Sequence, residues 1–135
     1  MARFHWIAAV ALTTDTSLLT ATANDYSFDM IFARQVEALC RPGDLLVMHT
    51  TSGNSPNVVR AVRWARTAGL RSVVLSGAEG QLASSADVAI SVPSTDTQHI
   101  QEAHLAIEHL ICWLVERDLF ASPAASMAGR TVYDH

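Results

Sequence analysis

Apolar positions along the chain follow two different periods, and the two alternate. Residues 6–12, Leu45–His49, 72–75 and 88–92 are short, nearly continuous apolar runs. Runs of that length between breakers predict buried strands. Between them the spacing changes to three and four residues. Phe28, Ile31, Phe32, Val36 and Leu39 predict an amphipathic helix over about 26–40, ended by "RPGD" at 41–44. Val58, Val59, Val62 and Ala65 line one face of a second helix. Ser55 stands at its N-cap, Pro56 at its first position and Gly69 just past its end. After the turn "SGAEGQ" and the last strand, a long helix is expected over 97–119. Strands alternating with helices predict an α/β domain, a parallel sheet covered by helices.

The ends of the chain carry less pattern. "MARFHWIAAVAL" has an arginine before an apolar stretch, and Ala21-Thr22-Ala23 imitates a processing site, so a secretory signal is one reading. The apolar core of the segment is short and Asp15 interrupts it, so a buried strand over 6–12 is the expectation. "ASPAASMAGRTVYDH" (121–135) is small, polar and aperiodic and reads as a loose tail after a single domain over 1–120.

Composition narrows the function. At 135 residues, half of them hydrophobic, the chain can bury a real core. No apolar run reaches the ~20 residues that span a bilayer, so a membrane role is not expected. The formal charge is −4 with scattered basic residues, which argues against nucleic acid as a partner. Arg60, Arg63 and Arg66 share a helix face and read as a solvated stripe. Trp64 and Trp113 read as packing residues. Cys40 and Cys112 lack metal or redox spacing and suit buried, reduced thiols of a cytoplasmic protein.

The chemistry concentrates in "HTTSGNSPNVVRAV" (49–62). Thr50, Thr51, Ser52 and Ser55 surround Gly53 between a strand and a helix, with no lysine or arginine among them. In open α/β sheets, ligands sit at the carboxyl ends of strands. The first amides of the helix lack internal partners, and the helix dipole adds about half a positive charge there. Such a loop accepts an anion without a lysine, and the hydroxyls add donors. The absence of G-x-x-x-x-G-K-[ST] argues against a nucleoside triphosphate and for a phosphate monoester. The plainer alternative is an ordinary strand–helix turn capped by Ser55. His49, unusual at a strand end, reads as a partly buried histidine with a backbone partner.

"TTSGNSPNVVRAVRWARTAGL" resembles the hydroxyl-rich loop and following helix of sugar isomerase (SIS) domains. With "ALTTDTSLLTATANDYSFDMIFARQVEAL", "GDLLVMHTTSGNS" and "IQEAHLAIEHLICWLVE", the resemblance narrows to the phosphoheptose isomerases. It runs from about Ala9 to Phe120. It implies a three-layer, flavodoxin-type parallel sheet and the aldose–ketose isomerisation of sedoheptulose 7-phosphate for bacterial surface polysaccharide. By the same resemblance, Thr50, Thr51, Ser52 and Ser55 hold the sugar phosphate, and Asn24 and Asp25 line the substrate site. Gln101 binds substrate and metal, and His109 is a metal ligand and the catalytic proton carrier. The implied metal is zinc, and the implied assembly a homo-oligomer. Thr50 departs from a usual serine but keeps the hydroxyl; Ser27 and Cys40 stand where glycine is common.

The family begins with helices, a first strand, a glycine-serine loop and a helix bearing a metal-binding histidine and glutamate. This sequence has no match to them. Gln101 and His109 are separated by about 12 Å of helix rise, too far to share one ion easily. His104 with Glu108, or Glu108 with Cys112, has better spacing, although such residues are usually a helix's polar face. The expected function is therefore a sugar-phosphate isomerase completed by groups from elsewhere. The alternatives are a non-catalytic sugar-phosphate or regulatory module, or an inactive fragment. With the first strand unmatched, residues 1–23 are expected to be the least stable part, and the chain to self-associate.

Overall fold

A computed structural model describes residues 7–120. The described chain divides into two bodies, one of residues 9–104 and the other of residues 105–120 with residues 7–8. The first body holds helix α1 (Thr16–Asp25), a 3₁₀ turn at Phe28–Met30, α2 (Ala33–Leu39) and β1 (Leu45–His49). These are followed by α3 (Pro56–Thr67), β2 (Arg71–Ser76), a second 3₁₀ turn at Leu82–Ser84 and β3 (Val88–Ser91). Helix α4 (Thr97–Phe120) begins in this body and continues through the second.

The three strands form one parallel sheet in the order β1-β2-β3, with Val47 opposite Val73 and Val73 opposite Val88. Side chains alternate across a strand. Leu46, Met48 and Val74 accordingly enter the core, where they meet Val58, Val59, Val62 and Ala65 of α3 and Val36 of α2. Leu45 and Val47 point the other way and are exposed. Gly69, at φ +71°, ends α3. The amide of Leu70 returns to Ala65 O and that of Gly69 to Arg66 O, which closes the last turn.

Two expectations about the amino-terminal region are corrected. Residues 7–12 form no strand; Ile7 and Val10 are exposed, and only Leu12 packs against the core. The run is rich in alanine, a weak strand former. Its end is fixed by polar contacts instead: buried Gln35 donates Nε2 to Leu12 O at 2.9 Å, and Thr14 turns back onto Ala11 O. Residue 6 and the tail at 121–135 lie outside the described residues. Next, Thr16–Asp25 is a helix that apolar periodicity does not announce, since only Thr22 is buried. Asp15 starts it by accepting from Leu18 N at 2.9 Å. The single helix expected over 26–40 is also divided, into the 3₁₀ turn and α2.

Trp64 packs against the core as expected, but Trp113 is 56% exposed with the Arg117 guanidinium over its ring. Both cysteines are free, and Cys112 is exposed rather than buried. Burial and the neighbouring Asp44 push the Cys40 thiol upward. Arg60 pairs loosely with Asp29 at 3.7 Å on the surface, as a solvated stripe would.

Asp87 ties β3 to β2. Its Oδ2 accepts from Ser72 N at 2.7 Å and Ser72 Oγ at 3.1 Å, and these bonds hold its carboxyl below the ordinary carboxylate value. Its contribution to stability is therefore full above about pH 4 and disappears as pH falls through the lowered value. Asp87→Ala is expected to lower the thermal midpoint at pH 7 and to have a smaller effect near pH 2–3. An equal loss at both pH values would contradict this.

Candidate functional site

The hydroxyl-rich segment lies at the carboxyl end of β1, where the chain turns into α3. Thr50 N continues the sheet pattern by donating to Leu75 O at 3.0 Å. Its side chain is buried, and Oγ1 accepts from Gly53 N at 3.1 Å, so Thr50 props the loop from beneath. Thr51 and Ser55 are half-buried and Ser52 is exposed, with Ser52 Oγ accepting from Asn54 N at 3.2 Å. A hydroxyl that accepts still has its own proton to donate.

The helix start departs from the expected cap. Ser55 occupies the N-cap position but makes no capping hydrogen bond; Asn57 Oδ1 accepts from Val58 N at 2.9 Å instead. The Ser55 hydroxyl is thus not consumed by the helix. Asn57 was invisible to pattern reading because a cap one residue inside the helix, after proline, has no usual signature.

Beside the loop is a groove of about 230 Å³, lined by Thr51, Ser52 and Asn54 of the loop and by Glu79, Ser94, Thr95 and Thr97. Its lining is hydroxyls, one amide and one carboxylate; the hydroxyls and the amide can donate to a polar ligand, and Glu79 can accept from one. A larger groove near Asp44, Arg71 and Asp87 lies at the amino ends of the strands, the wrong end for this architecture.

Asn24 and Asp25 sit on the last turn of α1, exposed and bonded to each other (Asn24 Nδ2 to Asp25 Oδ1, 2.8 Å). No hydrogen bond joins them to residues 50–55. Helix α4 starts under Asp96, whose Oδ1 accepts from Gln98 N at 2.8 Å and His99 N at 3.3 Å; these amides hold its carboxyl below the ordinary range. Gln101 is exposed on the early part of this helix, and His109, further along it, is exposed too.

His104 is buried and its Nε2 lies 3.3 Å from Ser76 O. A carbonyl only accepts, so this contact is a hydrogen bond in the tautomer with its proton on Nε2. His49 is exposed rather than partly buried, and its ring meets that of His104 edge-on at 5.9 Å.

The zinc expectation can be set against this donor set. Structural zinc is almost always bound by four ligands, and catalytic zinc keeps three protein ligands and an open position. Among the described residues, no group of three or more histidine, cysteine, aspartate or glutamate side chains is arranged to hold a metal. Gln101 and His109 do not fit the ion by themselves.

A parallel sheet with a hydroxyl-rich loop at the carboxyl end of a strand defines a class, and comparison identifies it. The family model of the SIS domain matches residues 1–77, and the chain belongs to that family. Within it, the similarity is to phosphoheptose isomerases. That of Roseiflexus sp. (strain RS-1) is 50% identical over 117 residues, covering 86% of this chain and 59% of the relative. That of Geobacter sp. (strain M21) is 55% identical over 115 residues, covering 84% and 60%. Among solved structures, the phosphoheptose isomerase from Neisseria gonorrhoeae superposes with a TM-score of 0.78 at 47% identity, covering 80% of this chain and 62% of that one. The Francisella tularensis structure gives 0.77 at 38% identity, covering 80% and 59%. The chain spans about 60% of the length of the curated relatives it matches.

Proposed function

We propose that this chain is the sugar-phosphate-binding part of a phosphoheptose isomerase, acting on sedoheptulose 7-phosphate in bacterial surface-polysaccharide synthesis. The observation that carries this reading is the loop at 50–55, placed between the carboxyl end of β1 and the start of α3. Thr51, Ser52 and Ser55 donate to the phosphate, with Thr50 fixing the loop beneath them. Asn24, Asp25 and Gln101 belong to the sugar side of the site, and His109 is the proton carrier. A histidine suits that task because its ordinary pKa is near neutrality. A zinc ion held at such a site would supply polarisation of the sugar's carbonyl oxygen. Gln101 and His109 do not fit that ion by themselves and would contribute to a zinc site only together with further ligands.

The same reading places the protein in the cytoplasm, consistent with two free cysteines; no helix of the described residues is long and apolar enough to cross a membrane. It also makes the protein a homo-oligomer. Leu105, Leu110, Trp113 and Leu119 are exposed on α4, an apolar surface that favours association. Sedimentation at the rate of a monomer would contradict that assembly.

Ser52→Ala combined with Ser55→Ala is expected to weaken sugar-phosphate binding by about 1–3 kcal/mol, the cost of lost charge-assisted hydrogen bonds. Calorimetry checks it, and equal affinity in both proteins removes the loop from the site.

A further inference from the structure

The hydroxyl loop is not held by its own residues alone. Asn54 is exposed, yet both ends of its amide are engaged. Nδ2 donates to Ser52 O at 3.1 Å, and Oδ1 accepts from Gln81 N at 3.2 Å, across to the loop that follows β2. The partners fix the orientation, since a carbonyl only accepts and an amide only donates. Around this clasp the two backbones touch directly. Gly77 N donates to Thr51 O and Leu82 N to Gly53 O, each at 3.2 Å. A Cβ on Gly80, at φ +113°, would lie 2.5 Å from both Gly53 Cα and Ser52 O, and one on Gly77 would lie 2.5 Å from Thr51 O. Side chains at these glycines would push the loops apart.

We infer that residues 77–81 are the mould that shapes the hydroxyl loop, and that Asn54 is a positioning residue for the bound anion, acting through Ser52. This rests on the sugar-phosphate reading of the loop. The physical reason is preorganisation. Ser52 and Gln81 are exposed, so water replaces the Asn54 amide when it is removed and the fold loses little. The loop, however, gains conformational freedom that binding must then remove.

The test is calorimetry with inorganic phosphate and with sedoheptulose 7-phosphate on four proteins: wild type, Asn54→Ala, Ser52→Ala and the double variant. Asn54→Ala is expected to bind about tenfold more weakly with little change in thermal midpoint. In the Ser52→Ala background the same change is expected to cost much less, because its route of action is gone. Gly80→Ala, which removes no polar group, is expected to reproduce the loss. Wild-type affinity in Asn54→Ala or in Gly80→Ala overturns the inference, as does an undiminished loss in the Ser52→Ala background. A wild type that binds neither probe overturns the sugar-phosphate reading, and the inference with it.

Discussion

A polypeptide of these 135 residues, supplied with zinc and sedoheptulose 7-phosphate, is expected to turn over no faster than background. Interconverting a ketose and an aldose removes a proton beside a carbonyl and returns one to the neighbouring carbon. It needs a base, an acid and a group that stabilises the enediolate oxygen. In the proposed function His109 is one proton carrier. The described residues hold no cluster of three side chains fit for a metal, and the chain spans about 60% of its relatives' length. A single acid–base group is typically worth about 10²–10⁴-fold, and loss of the metal shell adds to that. A coupled assay for the aldose product checks it. Robust turnover abolished by His109→Ala would contradict the account, because it would mean that α4 recruits its second base from these residues.

The next largest effect is expected at Leu82. This side chain is 1% exposed and packs in the cluster containing Leu46, Met48, Val58, Val62 and Val74. Leu82→Ala removes buried methyl groups and leaves a cavity, a change that costs about 2–5 kcal/mol. Total stabilities of domains lie near 5–15 kcal/mol, so the variant is expected to retain only part of its folding free energy. Leu82→Met, which nearly conserves volume, is expected to cost less than about 1.5 kcal/mol. Urea titration measures both. A loss below about 1 kcal/mol in Leu82→Ala would mean that the 3₁₀ turn at Leu82–Ser84 does not close the core.

The parts of the fold that could be read in the sequence are those where burial and local signals agree. Leu45–His49 is strand to the residue, and α3 runs from Pro56 as its proline and the Gly69 stop require. Both elements pack on the core, β1 through Leu46 and Met48 and α3 through its apolar stripe. The misread elements are those where burial is weak. Residues 7–11 are apolar but exposed, so their hydrophobicity carried no information about pairing. Helix α1 buries only Thr22, and its signal was the Asp15 cap rather than any period. At the site, the position of Thr50, Thr51, Ser52 and Ser55 follows from chain order alone. Their division of labour does not. That Thr50 is a buried prop, that Asn57 replaces Ser55 as the cap and that Asn54 reaches Gln81 depend on contacts between segments distant in the chain. Likewise, the sequence does not reveal that Gly80 is required by the backbone of Gly53.

The central claim is that a sugar phosphate sits on residues 50–57 at the head of α3. Backbone amide chemical shifts measured during titration with sedoheptulose 7-phosphate test it most directly. The account predicts saturable shifts concentrated at Thr51, Ser52, Gly53, Asn54, Ser55 and Asn57, reproduced in part by inorganic phosphate and reduced in the Ser52→Ala, Ser55→Ala protein. Saturation of the ligand with these six amides unmoved, whether other residues respond or none do, would contradict it.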